Sequence, residues 1–420
     1  MKINKSQPAL PAPSRVLMPM GLAVCLSLFG DLSLFASLVT RVDVLGLSLG
    51  AVGIMLSVHR LIRIPGNPLG GALLDRWGRR RLFILGMVLA TISTAAYGLV
   101  RGFWPFLIAR LVWGIAWILI NVGGLTMVLD LSMPSNRGRL AGIYNTWVLL
   151  GLALGPLAGG FMVDLIGFRP AMLVCAGITV VGLLVAILAL PETMSASQGS
   201  LQKLGLRTLG RQKAKSWLNA NRSLVTAALL YMIVQFAGDG IALSTISLLL
   251  QECFGDSVTL GSLAVGVASA GGVMLALRSV FAGAVGPLAG HWSDRRAGRW
   301  GVILGSLGVG IVSFGLLVFA ASLWAIVLGV TLGAVSAGAA LSTLTAYVGD
   351  LTPPGREGAV MGIYAAAGDV GSTAGPLLAF ALISLVDLRW VYLFCALVFL
   401  LGLTLSWRMG QTGRIGYAPP

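Results

Sequence analysis

The chain has 420 residues, 57% of them hydrophobic and 10% charged, with a formal net charge of +15. A soluble domain carries roughly a quarter charged residues, so most of this surface does not face water. The composition argues against a soluble enzyme, and it leaves the positive charge to be explained by something other than nucleic acid.

Apolar runs of about 20 residues recur along the whole length, enough for a helix to cross about 30 Å of hydrocarbon. They are continuous and not alternating, which predicts helices and not barrel strands. Helices are expected near 16–40, 48–71, 82–100, 104–128, 140–163 and 170–190. The first holds Asp31 beside Gly30 in its interior, and lacks a small-residue cleavage site, so it reads as a retained span. The second carries His59, Arg60 and Arg63, and spacing places the two arginines on one face. A loop Gly71-Ala-Leu-Leu-Asp75-Arg76-Trp77-Gly78-Arg79-Arg80-Arg81 follows it. The fourth helix carries Arg110, about 7 residues inside it, and Trp113. The fifth reads Gly151-Leu-Ala-Leu-Gly155-Pro156-Leu-Ala-Gly159-Gly160. Glycines at four-residue spacing make a groove for a facing helix, and a proline bends the axis.

Residues 191–222 form the one long polar stretch, a basic linker between an N-terminal bundle (1–190) and a C-terminal bundle with a short tail (223–420). The second set of helices is expected near 223–250, 260–288, 300–319, 322–347, 358–384 and 389–407, with Asp239, Arg278 and Asp369 inside spans. Its own loop, Gly290 to Arg299, contains Asp294 and Arg295 but has one extra residue before Gly298. The four cysteines lie in or at the ends of apolar runs without CxxC spacing and read as core thiols; no metal or cofactor set is present.

Charge orients the chain. Lys2, Lys5, Arg15, Arg76, Arg79–81, Arg137, Arg139, the linker, Arg295, Arg296, Arg299, Arg356, Arg408 and Arg414 fall on one side. Lys and Arg gather on the cytoplasmic face, so both termini are expected inside, and the net charge is mostly a topology signal. An internal repeat at an offset of 220 relates Gly142-Ile143-Tyr144 to Gly362-Ile363-Tyr364, Gly155-Pro156 to Gly375-Pro376, and Asp130 to Asp350. Six helices followed by six in the same orientation are a parallel repeat, which places a binding site between the halves near mid-membrane.

The loop at Gly71–Arg81 resembles the signature loop of the major facilitator superfamily, GxxxDRxGxRR, at every fixed position. The fifth helix is similar to the GxxxGPxxGG element of the twelve-helix drug:proton antiporters in that superfamily, with Tyr144 where the longer form has another glycine. Arg110-Leu-Val-Trp113-Gly114 is similar to its RxxQG element, with Trp113 where glutamine is usual. The resemblance implies an all-α fold of two pseudo-symmetric six-helix bundles and no enzymatic activity. It also implies alternating-access transport of a small molecule, with a proton gradient in place of a cofactor. Proton-driven efflux across a bacterial inner membrane by a monomer is the leading expectation; proton-coupled uptake of a sugar or organic acid and a non-transporting receptor are the alternatives.

Proton coupling is expected at Asp31, Arg60, Arg110 and Asp239. Counted from the outer boundary at 1.5 Å per residue, Asp31 lies about 15 Å deep, Arg110 about 10 Å and Arg60 about 18 Å. A mid-membrane charge is costly and marks function. Burial favours the neutral form of a carboxylate and an adjacent guanidinium the charged form, so small movements change its protonation. Arg110 is expected as the counter-ion of Asp31; a permanent Asp31–Arg60 pair and an outward-snorkelling Arg110 remain alternatives. The cavity is assigned Asp31, Arg63, Trp113, Asp239, Arg278 and Asp369, with Asp369 and Arg278 as an inner gate pair or, equally, a static one. Gly71, Asp75, Arg76, Gly78, Arg80, Asp294 and Arg295 are expected to form a conformational latch across the seam between halves, the alternative being headgroup anchoring. Gly151, Gly155, Pro156 and Gly159 are expected to pack against the other half. Three intramembrane acids against four arginines favour an amphiphilic, zwitterionic or anionic cargo over a cation.

Overall fold

A computed structural model describes residues 12–133, 136–193, 222–260, 263–295, 298–352 and 357–413. Its long helices, numbered here as spans, are α1 Pro13–Ser37, α2 Leu49–Trp77, α3 Arg79–Leu99, α4 Phe103–Leu131, α5 Arg137–Ile166, α6 Phe168–Ala189, α7 Arg222–Phe254, α8 Val267–Arg295, α9 Gly298–Val318, α10 Leu323–Leu351, α11 Glu357–Ile383 and α12 Leu388–Gly413. Among the described residues eleven of these are long and apolar enough to cross a membrane. The twelfth, α2, qualifies together with the short Val39–Leu45 segment, from which it departs at a 104° bend. Its shortfall has a plain cause: His59, Arg60, Arg63, Asp75 and Arg76 all lie in it.

Three local features depart from the expected helices. Helix α2 is interrupted at Ile62, between the His59–Arg60 turn and Arg63. Helix α7 widens into a π-helix over Phe236–Ala242, around Asp239. The eighth span starts later than expected because Ser257–Leu260 and Leu263–Gly266 pair as an antiparallel hairpin. Most of the polar linker, 194–221, lies outside the described residues.

Helices α1–α6 pack with one another, α1 chiefly against α5 and α6; α7–α12 do likewise. The seam is made by α5 on α8 and by the outer part of α2 on α11. Along that seam burial is uneven. Ala51, Val52, Met55 and Leu56 in the outer part of α2, and Val267, Ala268 and Leu275 in the outer part of α8, are buried. Towards the basic loops, Leu69, Trp77, Leu288 and Trp292 are each at least 55% exposed. The two halves meet on the side away from the basic loops and part on the basic side.

Candidate functional site

Arg110 has five N–H donors and no acceptor, so burying it requires a complete set of partners. It is wholly buried on α4, which removes the snorkelling alternative. Its Nε donates to the Met55 carbonyl at 2.7 Å, and Nη1 to the Asp31 carboxylate and, at 3.3 Å, to the Tyr97 hydroxyl. Nη2 lies 2.5 Å from His59 Nδ1. Because arginine only donates, His59 Nδ1 accepts, and the imidazole is neutral with its proton on Nε2. Asp31, Arg110, His59 and Tyr97 thus tie α1, α4, α2 and α3 into one charge-neutral knot. Tyr97 carries no sequence signal of its own; it is an ordinary aromatic until Arg110 is placed beside it.

Arg60 does not pair with Asp31. It crosses the seam and donates from Nη1 to the Asp239 carbonyl at 3.1 Å and the Ser372 carbonyl at 3.2 Å, with its guanidinium 5.5 Å from the Phe35 ring centre. The π-helix explains the first of these: a widened turn disturbs the usual i to i−4 ladder and frees carbonyls for outside donors. The expected Asp369–Arg278 pair does not form either. Arg278 pairs with Asp239, which also accepts from Gln235 Nε2 at 3.2 Å, and Arg63 reaches Asp369 across the seam at 3.1 Å. Helix α7 packs on both α8 and α11, so Arg278 meets the α7 carboxylate first. Trp113 is 1% exposed and stacks on Trp117, so it offers no cavity surface in this conformation.

The two signature loops share one arrangement. Arg79 pairs with Asp75 at 2.6 Å and Asp130 at 3.3 Å; Arg299 pairs with Asp294 and, at 2.9 Å, Asp350. Gly78 and Gly298, which open α3 and α9, have φ of +94° and +66°, a region that favours glycine. Glu192 accepts from the Arg79 and Arg80 backbone N–H groups, capping α3, and Arg80 Nη2 reaches the Ile187 carbonyl at 2.6 Å. Asp75 therefore holds its own half here and crosses no seam; its side chain is 65% exposed. Gly71 gives no close approach, since a Cβ there would find only Val122 at 4.0 Å; Gly66 and Gly70 are the glycines that admit Ile118. The Arg295 side chain lies outside the described residues.

The fifth helix has two working faces. A Cβ on Gly151 or Gly155 would meet Cys25, Leu28, Phe29 and Leu32, and one on Gly159 would meet Ser33, all on α1 of the same half. The expectation that this stripe faces the other half is corrected: α5 turns its Gly151–Gly155–Gly159 side inward, where Ser33 Oγ also donates to the Gly155 carbonyl at 3.1 Å. The seam is made by the adjacent face. Gly160 lies against Ala268 and Ser269, the Pro156 carbonyl against Gly272, and Ser279 Oγ donates to the Leu152 carbonyl at 3.1 Å. At its outer end Asp164 accepts from Ser269 N–H and Oγ, both at 2.7 Å, and pairs with Arg41 at 3.0 Å. Asp164 carries no sequence signal that marks it as a contact between the halves.

Comparison with known proteins agrees with this architecture. The family model described as Major Facilitator Superfamily matches residues 20–282 and 268–414. The multidrug resistance protein MdtG of Dickeya zeae is 26% identical over 363 residues, covering 84% of this chain and 83% of that protein. A bacterial homologue of the human lysosomal transporter Spinster, in an inward-facing and occupied conformation, superposes with a TM-score of 0.75 at 15% identity, covering 98% of this chain and all of that one. The human organic anion transporter MFSD10 gives 0.64 at 22% identity, covering 94% of this chain and all of that one.

Proposed function

The chain belongs to the major facilitator superfamily and is a multi-pass secondary transporter, and on that footing we propose that it exports a small amphiphilic compound in exchange for protons. The observation that carries the reading is the Asp31–Arg110–His59 knot, a titratable group buried inside one half and away from the open side. Protonating Asp31 removes the charge that holds Arg110, and Arg110 then bears on His59. His59 is the chain neighbour of Arg60, which ties the two halves, so α2 links protonation to the seam. Asp239 serves as a second acid on the opposite half, its side chain 33% exposed. The bundle of 1–190 rocks against that of 223–420, joined by the basic linker. Asp75, Arg76, Gly78, Arg80, Asp294 and Arg295 hold the opposite, outward-facing conformation.

Export is supported by the glycine–proline fifth helix and by the similarity to a protein named for multidrug resistance. The positive loops support a cytoplasmic open side and cytoplasmic termini, and the bacterial relative suggests an inner membrane. Proteoliposomes carrying a pH-sensitive dye provide the test. Added substrate should drive protons out through the face that takes the substrate in; proton movement together with substrate would establish uptake instead.

A further inference from the structure

Among the described residues, pairing the three acids and four arginines of the site leaves one arginine over. Asp31 takes Arg110, Asp239 takes Arg278 and Asp369 takes Arg63; of these four arginines Arg60 has no carboxylate within 4 Å among the described residues. Arg60 is 9% exposed and leans on two backbone carbonyls, which accept hydrogen bonds from it without cancelling its charge. One break along α2, Arg63 adds a second opening: its Nε is buried and has no acceptor among the described residues. The cluster at the seam, Arg60, Arg63 and Arg278 against Asp239 and Asp369, carries one net positive charge and a buried donor, Arg63 Nε, without an acceptor among the described residues, and it stands at the closed end of the side that opens.

An apolar cavity of about 180 Å³ lies towards the basic side of these contacts, between α7, α10 and α11, bounded by Leu229, Met232, Val348, Ile363, Tyr364 and Ala367. Tyr364 stacks at 4.2 Å on Tyr231, which feels the charges of Asp239, Asp369, Arg63 and Arg60. Met232 is seven residues from Asp239 and Ala367 five from Ser372, so the cavity begins about 8–10 Å along the helices from the Arg60 contacts at 1.5 Å per residue.

We infer that the cargo is an amphiphilic anion, whose head sits between Arg60 and the free Nε of Arg63 and whose apolar body lies in the Met232–Tyr364 cavity. A single carboxylate or sulfonate neutralises the surplus charge and supplies the missing acceptor, and guanidinium groups are suited to such oxygens. The inference rests on the seam being the substrate site. It does not depend on the direction of transport or its energy source.

The test is equilibrium binding to the purified chain without any gradient, using dansylglycine and its uncharged methyl ester, read by energy transfer from tryptophan. The carboxylate should bind at least tenfold more tightly than the ester. Arg60→Gln should erase that difference, Arg60→Lys should restore part of it, and Ala228→Phe, which narrows the cavity that Ala228 also lines, should weaken both probes alike. Equal binding of acid and ester to the wild type would overturn the inference, as would undiminished discrimination in folded Arg60→Gln. A chain that binds the acid selectively yet moves no protons would leave the anion site standing and refute the antiport reading.

Discussion

A single methyl group placed on Gly160 should open the outer side of the molecule. Its Cβ would stand 2.8 Å from the Ala268 carbonyl carbon and 3.1 Å from Ser269 Cα, and both are backbone atoms of the other half. No flexible side chain can yield there, so α5 and α8 must separate. Overpacking of this kind costs about 1–3 kcal/mol, and it acts only on the conformation in which those helices touch. At about 1.4 kcal/mol per factor of ten, the ratio of outer-closed to outer-open molecules falls by roughly five- to one-hundred-and-fifty-fold. Gly155→Ala is the matched comparison. Its Cβ would meet the Leu28 carbonyl at 3.1 Å, Leu32 Cβ at 3.2 Å and Phe29 Cα at 3.4 Å, all on α1, which travels with α5. That strain is present in both conformations, so it lowers stability without choosing between them. Spin labels at the exposed outer positions Val44 and Leu385, in a background free of native cysteines, report the outcome as a distance distribution. Gly160→Ala should add a longer-distance population, and Gly155→Ala should keep the wild-type distribution with a lower melting temperature. The opposite assignment of effects would refute the rigid-half description.

Other perturbations probe the remaining contacts. Asp75→Asn should shift cysteine labelling towards the inward-open form and slow every substrate by a similar factor; selective slowing would instead place the loop in the binding site. Asp164→Ala removes the acceptor for Ser269 and Arg41 together. It should raise the labelling of a cysteine at the wholly buried Ala36 by an impermeant external maleimide several-fold, and unchanged labelling would show that the outer contact does not hold the closure.

The spans, the repeat and both signature loops were legible because hydrocarbon thickness and backbone satisfaction leave little choice of structure. The ionic residues of the site stood out for the same reason, since charge in such segments is rare. Their pairings were not legible. Which carboxylate Arg63 or Arg278 meets depends on how far each helix is rotated about its own axis, and packing of neighbours sets that rotation. Helical spacing identified a glycine stripe on the fifth helix but could not say whether α1 or α8 lies against it. Gly124, which reads as an unremarkable position in the fourth helix, proves tightly confined: a Cβ there would lie 2.7–2.9 Å from the Tyr144 ring and hydroxyl. The hairpin at Ser257–Gly266 escaped because its residues are as apolar as the helix it precedes, and the π-helix because widening a turn changes no residue type.

Asp31 is proposed to couple protons to movement between the halves. Asp31→Asn keeps an acceptor for Arg110 and removes the titratable charge, so the variant should fold and bind dansylglycine. In proteoliposomes with an imposed pH gradient, uphill transport of that probe should fall to the level of protein-free vesicles, while exchange of labelled for unlabelled probe without a gradient continues. Uphill transport at the wild-type rate by Asp31→Asn would contradict the account.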